Sequence, residues 1–104
     1  MKIRYTPASV KDVQEIKGYI EEILYNHIAS NRIISEIFKT CNLLKINPYL
    51  GKSLRYKIGI DTDKRYILSG KYIIIYKTEN EYVSIIRILD TRTNYLNVIN
   101  WSST

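Results

Sequence analysis

The hydrophobic residues change period at Gly51. Before it, Val10, Val13, Ile16, Ile20, Ile23 and Leu24 recur at steps of three and four, one face of a helix running to about Tyr25. Lys11, Asp12, Glu15, Lys17, Glu21 and Glu22 fall on the other face. Ala29, Ile33, Ile37, Cys41 and Leu44 form a second stripe, widened by Ile34 and Phe38. Thr6-Pro7 suits the start of the first helix and Asn26 the cap of the second, because Thr and Asn side chains accept from orphan backbone N–H groups. Asn47-Pro48-Tyr49-Leu50-Gly51 ends the second helix. Two helices joined this closely pack as an antiparallel hairpin.

After Gly51 the period is two. Tyr66–Leu68, Lys71–Lys77 and Tyr82–Leu89 read as strands, separated at hairpin lengths by Ser69-Gly70 and Thr78-Glu79-Asn80-Glu81. In the middle strand Tyr72, Ile74 and Tyr76 point one way and Ile73 and Ile75 the other. Apolar residues on both faces mark it as central. Lys2–Tyr5 is a short opening strand with Ile3 and Tyr5 on one face, and Leu54–Ile60 offers a further strand before the loop Gly59–Asp63. The order β-α-α-β-β-β describes an α+β domain, a two-helix antiparallel hairpin packed on a twisted antiparallel sheet, with residues 1–104 as one domain.

Several kinds of chemistry lack their residues. One histidine, His27, gives no basis for a histidine triad or a zinc site, and the single Cys41 excludes an internal disulfide and reads as a buried, inert thiol. No phosphate-cradling glycine motif occurs. Asp61 and Asp63 read as a solvated turn, so no metal and no cofactor is expected. No apolar run reaches the roughly 20 residues of a membrane span, and Lys2, Arg4, Lys11 and Asp12 interrupt any leader-like start. The expectation is a reduced, cytoplasmic protein.

What stands out is positive charge. The chain carries 16 Lys+Arg against 10 Asp+Glu, a net +6. Within Lys52–Lys77, seven cations (Lys52, Arg55, Lys57, Lys64, Arg65, Lys71 and Lys77) face two acids (Asp61 and Asp63). Arg87 and Arg92 follow, and Tyr56, Tyr66, Tyr72, Tyr76 and Tyr95 are interleaved. Such a stretch suits phosphates, stacked bases or an acidic partner.

The order of elements and several strings resemble the RelE/ParE superfamily of bacterial type II toxins. They are Tyr5-Thr6-Pro7-Ala8, Asp12-Val13, Tyr19-Ile20, Asn47-Pro48-Tyr49-Leu50-Gly51, Tyr72-Ile73-Ile74-Ile75-Tyr76 and Ile85 through Tyr95. The resemblance covers nearly the whole chain. It implies a growth-arresting toxin neutralised by an antitoxin encoded beside it, in a toxin–antitoxin hetero-oligomer. RelE-like members cleave mRNA in the ribosome; ParE-like members inhibit DNA gyrase. Ile73 stands where the nucleases carry arginine, and Asn94 where some have histidine before a final tyrosine. Arg87-Ile88-Leu89-Asp90-Thr91-Arg92 looks closer to the ParE pattern, although Asp90 replaces a histidine often found there.

The leading reading is therefore a ParE-like toxin that binds gyrase without chemistry of its own. Its target-binding residues are Lys64, Arg65, Arg87, Arg92, Tyr95 and Trp101, with the apolar segment Leu96–Trp101. The alternative is a metal-independent, ribosome-dependent endoribonuclease using Lys64, Arg65, Arg92 and Tyr95. A third reading is an inactive binding module of the same fold. Leu96, Val98, Ile99 and Trp101 either pack on the domain's own core or meet the antitoxin.

Overall fold

A computed structural model describes residues 1–94. Strand β1 (Lys2–Tyr5) leads into α1 (Pro7–Gly18), a π-helical turn (Tyr19–Ile23) and α2 (His27–Leu43). Strand β2 (Lys52–Ser53), the single turn α3 (Arg55–Ile58), and strands β3 (Arg65–Ser69), β4 (Tyr72–Glu79) and β5 (Tyr82–Asp90) follow. The strands form one sheet in the order β1-β5-β4-β3-β2.

The expected caps are present. Thr6 Oγ1 accepts from Ser9 N at 3.2 Å, and Asn26 Oδ1 from Ala29 N at 2.9 Å. Each satisfies a donor that the first helical turn leaves open. The helices and the meander lie close to the predicted spans, and β4 is central with alternating faces. Tyr72, Ile74 and Tyr76 join Ile37, Cys41, Leu44, Val83, Ile85 and Ile88 in the core beneath the helices. Ile73 and Ile75 join Leu54 in a smaller core on the other face. Both sides of β4 are thus closed from water, as its unbroken Ile/Tyr run requires.

Three local expectations are corrected. The sheet is mixed, because β1 joins the edge of β5 in parallel, pairing Ile3 with Val83 and Tyr5 with Ile85. Of the stretch after Gly51, only Lys52–Ser53 pairs as a strand; Arg55–Ile58 coils into a helical turn that Gly59 ends in the left-handed region, at φ 72°. The first helix is also set differently about its axis. Val10, Ile23 and Leu24 are exposed, while Ser9 and Asp12 are buried. The π-helical turn accounts for the far end, since Leu24 N donates to Tyr19 O at 3.3 Å, five residues back. One extra residue in that turn moves every later side chain off the stripe. Tyr25 then takes a left-handed conformation, φ 52°, between the helices. Among the described residues no helix is long and apolar enough to cross a membrane.

Candidate functional site

The predicted site residues separate into three places. The first is the junction of α1 and β5. Asp12 is 4% exposed and accepts from Arg87 Nε at 2.7 Å, Arg87 Nη2 at 2.7 Å and Ile88 N at 2.9 Å. A carboxylate taken out of water needs such partners, and a two-pronged guanidinium with a backbone donor supplies them. The Asp12 hydrogen bond raises the Arg87 pKa against the opposing effect of burial. Arg87 is thus built into the helix–sheet joint, and its guanidinium is directed at Asp12 instead of outward. Sequence reasoning put Asp12 on the solvent face of α1. The available signal was the spacing Ser9, Asp12, Ile16, Ile20 together with one arginine inside an otherwise apolar strand.

The second place is the end of β5. Arg92 Nη2 meets Asp90 Oδ2 at 2.9 Å, and Arg92 Nε meets Asp90 Oδ1 at 3.0 Å. Here the arginine side chain is 78% exposed. Asp90 is held down at about 2, first by the Arg92 side chain and then by the Arg92 backbone N–H. Asp90, where a histidine was the family expectation, thus orients a solvent-facing guanidinium. A cleft of about 290 Å³ opens beside it, between Tyr19 and Tyr72. Tyr95 and Trp101, the other residues assigned to this end, lie outside the described residues, as does the segment Leu96–Trp101.

The third place is the loop side of the sheet. Arg65, at the start of β3, donates through Nη2 to Gly51 O and Tyr49 O, and its guanidinium lies 5.3 Å from the centre of the Tyr49 ring. Buried Tyr76 fixes the same loop from below: Gly51 N donates to Tyr76 Oη at 3.0 Å, and Tyr76 Oη donates to Pro48 O at 2.9 Å. Gly51 is required there, because a Cβ would come within 2.3 Å of Tyr66 O. Lys64, by contrast, is only 3% exposed. Burial lowers its pKa, Lys77 adds to that effect and Asp63 opposes it. Lys64 therefore presents little surface to a partner.

Ile73, at the position of the missing arginine, is 1% exposed and packed with Leu54 and Ile75. Asn94 is exposed at the end of the described residues. His27 is exposed, with Nδ1 3.6 Å from a Glu21 carboxylate oxygen. Cys41 is buried, and burial pushes its thiol up to about 11, outside the range of a reactive cysteine. Among the described residues no three His, Cys, Asp or Glu side chains converge as metal ligands.

Among the described residues, the exposed guanidinium groups of the predicted set lie at two separate places on the sheet, Arg92 after β5 and Arg65 on the loop side. A family model described as the ParE toxin of the type II toxin-antitoxin system, parDE, matches residues 3–95. No curated protein sequence matches. A solved structure titled "Chromosomal ParDE TA system from P. aeruginosa" is similar in fold, with a TM-score of 0.73 at 13% identity. The alignment covers 86% of this chain and 95% of that one. With the family match spanning both helices and the whole sheet, the chain belongs to the ParE toxin family of type II toxin–antitoxin systems.

Proposed function

We propose that this toxin arrests growth by binding DNA gyrase, without bond-making chemistry of its own, and that a cognate antitoxin holds it inactive. The burial of Ile73 beneath Leu54 carries this reading. Cleaving RNA needs a cation or proton donor where the 2′-OH and the phosphorane would sit. An isoleucine that is 1% exposed supplies neither. Lys64 is nearly as buried, which further weakens the nuclease set.

The target-binding surface in this reading centres on Arg92, with Tyr95 and Trp101 beyond it. Arg65 contributes from the loop side, while Arg87 and Lys64 act as supports. An acidic antitoxin segment complements the net +6 and competes for these groups. A supercoiling assay with purified toxin and gyrase tests the proposal. Inhibition that titrates with toxin and is relieved by antitoxin is expected. Full gyrase activity at saturating toxin overturns it, and codon-positioned mRNA cuts in expressing cells would return the nuclease reading.

A further inference from the structure

The loop side of the sheet carries a groove of which the gyrase reading uses only Arg65. It is broad and open, spans about 940 Å³ and is lined chiefly by Tyr49, Lys52, Arg55, Tyr56, Asp61 and Arg65. Two phenol rings stand in it, largely in water: Tyr49 is 67% exposed and Tyr56 72%. Each carries a guanidinium, Arg65 at 5.3 Å from the Tyr49 ring centre and Arg55 at 5.4 Å from that of Tyr56. Large rings left this exposed contribute little to the fold, and pairing with arginine keeps each ring oriented.

The wall that carries Tyr49 is preorganised. The Tyr76 hydroxyl and the Arg65 guanidinium hold the backbone from Pro48 to Gly51 at both ends. Two acids, Asp61 and Asp63, also line the groove, against the three cations Lys52, Arg55 and Arg65. Asp61 meets Arg55 only at 3.5 Å and is 94% exposed, so water screens that pair and a phosphate can displace it.

We propose that this groove binds single-stranded nucleic acid, with Tyr49 and Tyr56 stacking on bases and Lys52, Arg55 and Arg65 holding phosphates. An acidic peptide would engage the cations but leave both rings without a role. A duplex would offer phosphates but keep its base faces stacked inside. Single strands use both features, since every base has a face that stacks on an aromatic ring. The inference is independent of whether gyrase is the target.

The test is fluorescence anisotropy of the purified chain with a labelled oligothymidylate of about twelve nucleotides, a length suited to one such groove. A duplex of equal charge and poly-glutamate serve as competitors. The single strand is expected to bind tightest. Tyr49→Ala with Tyr56→Ala should weaken it about thirtyfold or more, and the two Tyr→Phe changes should leave it within about twofold. Lys52→Gln should reduce the slope of log affinity against log salt by about 0.7, the value for one phosphate contact on a single strand. Thermal melts of each variant confirm that the fold is kept. Single-strand and duplex affinities that are equal and insensitive to the tyrosines overturn the proposal. So does preferential binding of poly-glutamate, which would assign the groove to an acidic protein segment.

Discussion

Ile74 and Ile73 are adjacent on β4 and both almost fully buried, yet they belong to different cores. Ile74 lies among nine buried residues, roofed by α2 and flanked by Val13 and Ile16 of α1. Ile73 lies among three, closed by Leu54 and the partly buried Ile58, Tyr66, Ile86 and Leu89. The first side is held by two helices, the second by a connection of two short elements. The thick side therefore determines whether the chain folds. The thin side determines the shape of the loop surface, where Arg65, Tyr49 and the groove lie.

The comparison breaks most easily at its deepest point. Ile37→Ala, in the helix-covered core, should cost about 4 kcal/mol in chemical denaturation, the usual range for a fully buried large-to-small change. A loss below that of Leu54→Ala would reverse the ranking of the two sides. Asp12→Ala should cost about 3 kcal/mol, because it leaves the Arg87 guanidinium and Ile88 N without the carboxylate that receives them. Leu54→Ala should cost only about 2 kcal/mol, since a thin cover can settle into the space. Its amide N–H bonds Lys64 O at 2.9 Å, so hydrogen exchange should quicken in β2 and the start of β3 and stay slow in β5.

Acid sharpens the comparison at the strand ends, which belong to neither face. Glu79 is held down at about 2, first by its hydrogen bond from Ser84 and then by Lys77 and Arg4; Asp90 is also held at about 2. Their ordinary values are 4.5 and 3.8, so both are depressed on folding. Their stabilisation is complete above those values and is lost as pH falls towards about 2. Denaturation midpoints should decline across that window, and Glu79→Gln should flatten part of the slope. The smallest effect is expected at the exposed Asp90–Arg92 pair. Arg92→Ala should lower the melting temperature only slightly, since the exposed pair is screened by water, while lowering gyrase inhibition clearly, which separates a contact residue from a structural one.

Most of the fold was legible from two features, the change of period at Gly51 and the capping residues Thr6 and Asn26. The alternation along Tyr72–Tyr76 even assigned each side chain to its core. What escaped was set by partners distant in sequence. The rotation of α1 follows from the buried Asp12–Arg87 joint and the π-helical turn, neither of which has a local periodic signal. The parallel addition of β1 is a matter of topology, and hydrophobic alternation does not reveal strand direction. Site reading was less complete. Positive charge nominated candidate residues, but only burial and pairing separated Arg92, which faces solvent, from Arg87 and Lys64, which do not.

The pairing of β1 with β5 also bears on how the chain is made. Eighty residues separate Arg4 from Ser84, its register partner, so the strand that leaves the ribosome earliest lacks its sheet neighbour until β5 has been synthesised. The contacts that finish the sheet are the most distant in sequence, and such closures are slow. The helical hairpin can form first from local contacts. Among the described strands, β5 is thus the last to be completed during synthesis, and with it the strand that leads to Arg92.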